Sequence, residues 1–214
     1  MFDQLLELDQ SVTLALNGSD SLVMDKLMLI ITSTIVWIPM GLLLLYIIYR
    51  NKGLKTMLLV LGGILLCVLF ADLVSSGICK PLVERLRPSN NPDLADKIDL
   101  VNNYHGGRYG FFSSHAANTM SVAVFLSALL RRWTIVTLLI FWSLINCWSR
   151  LYLGVHYMGD ILVGLAWGVT VGWGVYLIMR RHIGSLQDIN MRPAVIAILL
   201  TFVIIVVSAP ILAA

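Results

Sequence analysis

The chain has 214 residues, 58% of them hydrophobic and only 13% charged, with a formal net charge of +3, against roughly 25% charged residues in ordinary soluble domains. With a mean hydropathy of +0.86, this composition excludes a water-soluble globule, a disordered chain, a collagen-like repeat and a disulfide-stapled secreted fold, and it points to a polytopic membrane protein. Cys67, Cys79 and Cys147 sit in apolar stretches without Cys-x-x-Cys spacing, so neither zinc nor a disulfide framework is indicated, and no Lys/Arg tract argues for nucleic acid.

Residues 1–16 lack the basic n-region and apolar h-region of a secretory signal. Phe2, Leu5, Leu6, Leu8, Val12 and Leu16, interleaved with Asp3, Glu7 and Asp9, predict a short amphipathic helix lying on the membrane surface. Crossing a hydrocarbon core of about 30 Å takes roughly 20 apolar residues, and six such runs follow, at 27–49, 56–79, 113–130, 133–149, 157–179 and 194–212. The predicted fold class is therefore all-α: a polytopic membrane protein of six transmembrane helices with a short N-terminal interfacial helix. It forms one membrane-embedded domain over 1–214, with its polar motifs inside 80–160. Gly164, Gly168 and Gly172 repeat every four residues in the fifth run, which predicts close helix packing.

Arg50, Lys52 and Lys55 follow the first run, Arg131 and Arg132 the third, and Arg180, Arg181 and Arg192 the fifth, so eight of the fifteen basic residues share one side. The positive-inside rule makes that side cytoplasmic. Both termini and the long polar loop at 89–112 are then expected outside.

Apart from those basic loops, a few ionisable residues cluster at the external ends of the helices. Lys80, Arg85 and Arg87 close the second run, His115 opens the third, Arg150 closes the fourth, and His156 and Asp160 open the fifth. Taken singly, a cation at a helix end is commonly a snorkelling anchor. Together these groups suit a phosphoryl group: Arg offers bidentate donors and Lys a point charge. Ser113 and Ser114 precede the third helix as cap residues, whose free N–H groups form an anion site. His156 and Asp160 stand at i and i+4, so the carboxylate can take the proton of one ring nitrogen and leave the other as a nucleophile, with His115 protonating the leaving oxygen. The competing structural reading is an interfacial pair that closes a helix terminus.

Lys80 followed by Arg87-Pro88, then Ser113-Ser114-His115, then Ser149-Arg150 with His156 and Asp160, resembles the three-part signature of the type 2 phosphatidic acid phosphatases, which share their site with vanadium haloperoxidases. The resemblance implies that His156 forms a phosphohistidine, Asp160 orients it, His115 is the general acid, Lys80, Arg87 and Arg150 hold the phosphate, and no metal or other cofactor is needed. The family's usual Pro-Ser-Gly-His reads Phe112-Ser113-Ser114-His115 here, replacing a glycine with a hydroxyl that can add a donor.

Weaker expectations surround this set. Asp72, inside the second run, either pairs with a site cation or makes a helix-packing hydrogen bond. Asn118 and Asn146, each one turn from His115 and Arg150, either orient them or pack between helices. Arg85 either supports a site residue or meets a lipid headgroup, Arg108 and His105 in the outer loop either meet a headgroup or are solvated loop charge, and the Trp and Tyr residues are read as interfacial anchors. Asp93, Asp96 and Asp99 would repel a headgroup with many loose negative charges, so one phosphate or pyrophosphate is expected to be engaged at a time. The resulting expectation is a bacterial inner-membrane lipid phosphatase acting at the outer face on a lipid A phosphate or undecaprenyl pyrophosphate, with the bilayer and a phosphorylated lipid as its partners. Alternatives are phosphatidylglycerol phosphate or phosphatidate as substrate, a lipid phosphotransferase, and a non-enzymatic anion transporter.

Overall fold

The computed structural model describes residues 2–213; Met1, where the predicted N-terminal helix begins, lies outside them. Among the described residues the architecture is all-helical. The principal helices are α1 (Phe2–Ala15), α2 (Leu22–Thr32), α3 (Thr34–Asp72), α4 (Lys80–Val83), α5 (Ser114–Leu130), α6 (Trp133–Tyr152), α7 (Met158–Ile183) and α8 (Arg192–Ala213), and a π-helical stretch, Leu73–Cys79, joins α3 to α4. Four helical segments are long and apolar enough to cross a membrane: Thr34–Val83, Trp133–Tyr152, Met158–Ile183 and Arg192–Ala213, while Ser114–Leu130 is apolar but shorter.

The first of these segments is not one rod. At about 1.5 Å per residue its 50 residues would reach about 75 Å if straight, more than twice a hydrocarbon core. Gly53 interrupts it with φ 81° and ψ 173°, a conformation that favours glycine. Gly41 and Leu44 before the break line the same apolar cavity as Ile64 after it, so the chain doubles back.

The run expected at 27–49 is divided at Ser33, whose extended backbone ends α2 before α3 begins. Such a break frees carbonyls at the end of α2, and the indole N–H of Trp37 donates to one of them, Ile31 O, at 2.9 Å. Arg131 ends α5 in the left-handed region and donates through Nη2 to the Tyr176 hydroxyl at 2.7 Å. Lys52 pairs with Asp188 at 2.7 Å and Arg132 donates to Gln187 O at 2.6 Å. The inter-helix loops rich in Lys and Arg therefore meet at one end of the bundle.

The opposite end is built by the long loop. Leu86 and Tyr109 form an isolated antiparallel bridge, flanked by Arg87 N–H to Arg108 O and Gly110 N–H to Arg85 O, which pins the two ends of the loop together. Asn17 holds the loop from α1's side, accepting from Asp99 N–H at 2.7 Å and donating to Tyr152 O at 2.8 Å. The main apolar core lies between α3, α5, α7 and α8, around Phe125, Leu130, Val60 and Ile48.

Candidate active site

Helices α5 and α7 set the frame of the site. A Cβ on Gly164 would stand 2.6 Å from Ser113 O, one on Gly168 2.7 Å from Ala117 O, and one on Gly172 closer still to Ser121 O. The glycine ladder thus lets the two backbones touch, as the four-residue repeat predicted. Ser113 N–H donates to Asp160 O at 3.1 Å, so the N-termini of both helices arrive at one place. Ser113 Oγ is fully buried and accepts from Ala116 N–H at 3.4 Å, so its hydroxyl caps α5.

His156 reaches this place through the turn between α6 and α7, where Gly154 adopts φ +65°. The ring is buried, with Nδ1 3.3 Å from Asp160 Oδ2. Tyr157 N–H donates to the same oxygen at 3.1 Å. On the other side, Arg87 Nη1 lies 3.1 Å from His156 Nε2. A carboxylate at one nitrogen and a guanidinium donor at the other assign the neutral tautomer that carries its proton on Nδ1 and its lone pair on Nε2. Burial, then the charges of Arg87, Arg150 and Lys80, hold the imidazole well below the ordinary histidine value of 6.5.

The cations converge on this ring. Arg87 donates through Nε to Tyr109 O at 3.1 Å and through Nη1 to Val155 O at 2.9 Å. Burial, then the charge of Arg150, bring Arg87 down from 12.5 to about 10, still charged at neutral pH. The space beside it is tight: a Cβ on Gly106 would lie 2.6 Å from Arg87 Nη1, and one on Gly110 3.0 Å from Asp160 Oδ2 and 3.2 Å from Arg87 Cγ. Arg150 donates through Nη1 to Thr32 Oγ1 at 2.6 Å and to the Tyr104 hydroxyl at 2.9 Å. Its Nε is buried without a partner among the described residues.

Lys80 Nζ donates to Ser114 Oγ at 3.1 Å and to Ser76 Oγ at 2.8 Å, and Ser76 donates to Asp72 Oδ1 at 3.0 Å. The serine that replaces the family's glycine therefore touches the lysine, and Asp72 reaches Lys80 through Ser76. His115, in the first turn of α5, lies within electrostatic reach of Arg150, His156, Arg87 and Lys80.

Arg85 stands directly behind the site, against Asp160. Its Nη1 is 3.0 Å from Asp160 Oδ1, its Nη2 is 2.7 Å from Asp9 Oδ2, and its guanidinium carbon lies 3.9 Å from the centroid of the Tyr157 ring. Arg108 is exposed and lines a cleft of about 400 Å³ with Lys80, Arg87, Glu84, Ser76 and Tyr109. Asp93, Asp96 and Asp99 are not among the residues that line it. Asn118 makes no hydrogen bond to His115, its Oδ1 being buried without a partner among the described residues, and Asn146 donates to Trp142 O in its own helix. Of the two readings open for these asparagines, a hydrogen bond to His115 or Arg150 is not found among the described residues.

Sequence reasoning missed Asp9, Thr32, Ser76 and Tyr104. Ser76 had a local signal, standing four residues from both Asp72 and Lys80. Tyr104 and Tyr157 were read as interfacial anchors; instead one holds Arg150 and the other, buried, carries Arg85 on its ring. No cluster of three or more His, Cys, Asp or Glu suited to a metal ion is found among the described residues.

Residues 58–184 match the PAP2 superfamily. The chain is 38% identical over 190 residues to the lipid A 4′-phosphatase of Bacteroides thetaiotaomicron, covering 88% of this chain and 84% of that one. It is 36% identical over 181 residues to the lipid A 4′-phosphatase of Porphyromonas gingivalis, covering 81% and 74% respectively. Its fold is similar to the crystal structure of a transmembrane PAP2-type phosphatidylglycerolphosphate phosphatase from Bacillus subtilis, with a TM-score of 0.65 at 18% identity over 86% of this chain and 89% of that one.

Proposed function

The chain belongs to the PAP2 superfamily, and from that premise we propose that it removes a phosphate from lipid A at the outer face of the bacterial inner membrane, through a phosphohistidine on His156. It is a membrane lipid phosphatase; the substrate, the intermediate and the orientation are what the proposal adds. The observation that carries the substrate is the identity of 38% and 36% to two lipid A 4′-phosphatases over 88% and 81% of the chain.

The geometry supports the following roles. Lys80, Arg87 and Arg150 hold the phosphoryl oxygens, with Ser114 beside Lys80 and the first-turn N–H groups of α5 aimed at the same anion. As an oxygen of the substrate accepts the Arg87 donor, the lone pair on His156 Nε2 is released. It attacks phosphorus, the P–O ester bond breaks, and His115 protonates the departing sugar oxygen. Asp160 stabilises the positive charge that develops on the ring. Water then attacks the phosphohistidine, giving its proton to His115 and returning His156 and free phosphate. Arg108, at the mouth of the cleft, meets the headgroup.

In the membrane, the two limbs of α3 count as two crossings, and α5, α6, α7 and α8 complete six within one domain. Leu5 and Leu8 of α1 are each 58% exposed, which suits a helix resting in the interface. The basic loops face the cytoplasm and the site faces the periplasm. A cysteine at His105 should react with an impermeant thiol reagent in intact cells and one at Gly53 should not, in a background without the three native cysteines. The reverse pattern overturns the orientation.

Purified protein assayed against lipid A, undecaprenyl pyrophosphate, phosphatidylglycerol phosphate and phosphatidate tests the substrate. Lipid A should be preferred over phosphatidate by about 100-fold or more in kcat/KM, with activity unchanged by chelator and with phosphate passing to water in preference to an added alcohol. Equal turnover of all four lipids would remove the substrate assignment.

A further inference from the structure

Asp9 lies on α1, outside the residues 58–184 that match the family, yet it is tied to the centre of the site. Its two oxygens have different partners. Oδ1 accepts from Gly159 N–H at 2.7 Å, in the first turn of α7, next to the Thr13 hydroxyl that accepts from Met158 N–H at 3.0 Å. Oδ2 is 2.7 Å from Arg85 Nη2. A Cβ on Gly159 would stand 3.0 Å from that same Oδ2, so α1 and α7 approach closely there.

Arg85 is held from three directions: by Asp9, by the Tyr157 ring, and by Asp160 Oδ1 at 3.0 Å. The Tyr157 ring is itself fixed, its hydroxyl accepting from Asn91 at 3.0 Å. Asp160 is fully buried, and its other oxygen faces His156 Nδ1 at 3.3 Å. A buried carboxylate needs a partner for the lone pairs that the histidine does not use. Arg85 is that partner, and alone it would have a single carboxylate to settle on and a solvent-facing side on which to drift.

We propose that Asp9 is a positioning residue of the active site, holding Arg85 against Asp160 and so fixing the carboxylate that orients His156. The inference rests on the roles given to His156 and Asp160 above. It makes the N-terminal helix part of the catalytic apparatus, in addition to capping α7 and resting on the membrane.

Asp9→Asn separates the two jobs, because the amide oxygen can still accept from Gly159 N–H while the charge facing Arg85 is gone. Per folded molecule, kcat should fall by about tenfold with KM within about twofold, the mark of a displaced catalytic group rather than of lost binding. Asp9→Glu should recover part of kcat. In an Arg85→Gln background Asp9→Asn should cost nothing further, since both changes remove the same link. Nitrogen NMR of histidine-labelled protein in detergent supplies a readout without substrate. The wild type should show a pyrrole-like Nδ1 and a pyridine-like Nε2 for His156, and Asp9→Asn should move both towards averaged values.

An unchanged kcat for Asp9→Asn, losses that add in the double variant, or unmoved ring-nitrogen shifts would each overturn the proposal, leaving Asp9 only as a cap. A wild type that hydrolyses an aryl phosphate or phosphatidate but not lipid A overturns the substrate proposed above, and the cycle is then read on the ester that is turned over. A wild type that hydrolyses none of them overturns the phosphatase reading, and the nitrogen shifts decide for Asp9 by themselves.

Discussion

Replacing Asp160 by Asn changes one atom, removes the charge and leaves an acceptor at only one of the two oxygen positions. All three partners are donors: Arg85 at Oδ1, and Tyr157 N–H and the His156 ring at Oδ2. An amide can satisfy only one of the two positions. With its NH₂ at the Oδ2 position it would leave the buried Tyr157 N–H unpaired, costing about 1–3 kcal/mol, and would force the proton of His156 onto Nε2. With its NH₂ towards Arg85 it keeps the correct tautomer. The second arrangement wins, because Arg85 keeps Asp9 as its partner and its side chain is 22% exposed, so the guanidinium edge that loses Asp160 can be solvated.

The tautomer then survives but the charge does not. A unit charge about 4 Å from the developing imidazolium is worth about 4 kcal/mol at an effective dielectric of about 20, or about 10³-fold in kcat. Stability should drop by only about 1–2 kcal/mol, less than the usual cost of breaking a buried pair, since Arg85 keeps its ion pair with Asp9. His156→Ala, which removes the nucleophile itself, should abolish turnover altogether. Initial rates of phosphate release from lipid A, normalised to folded protein by thermal unfolding in detergent, measure both. An Asp160→Asn enzyme within tenfold of wild-type kcat would refute the role given to this carboxylate.

Two further outcomes follow from the same structure. Because His156 is held well below 6.5 in the folded chain, its imidazole stays neutral where an unfolded chain would already bind a proton. Activity should therefore persist below pH 6.5, whereas stability declines as the pH falls through that value, since the unfolded state gains the proton first. A kcat/KM profile corrected for ionisation of the substrate phosphate, with its acid limb at or above that pH, would contradict this. Gly172→Ala should lower stability by about 1–3 kcal/mol, because the new methyl meets the Ser121 carbonyl of α5 and a packed backbone must shift; an unchanged melting temperature would show that the two helices are less closely joined.

The parts of this protein that are local in the chain were legible in its sequence. Apolar run length located the helices from residue 113 onward to within a few positions, because in lipid a backbone has no way to satisfy its hydrogen bonds other than by forming a helix or a closed barrel. The glycine ladder facing α5 is a consequence of helical pitch, whereas His156 lies in the turn before α7 and meets Asp160 across the extended Tyr157 N-cap. The break at Ser33 was not legible, since the Thr32 hydroxyl beside it meets Arg150 from 118 residues away. Nor was Asp9, whose partners Arg85 and Gly159 stand 76 and 150 residues further along. On α1 it is one acidic residue among several, and in sequence an aspartate that faces water reads the same as one that faces a buried arginine. Which of them is which was decided only when the bundle brought the N-terminus of α7 against that helix, because ion pairing depends on distances that packing sets and that sequence separation does not encode.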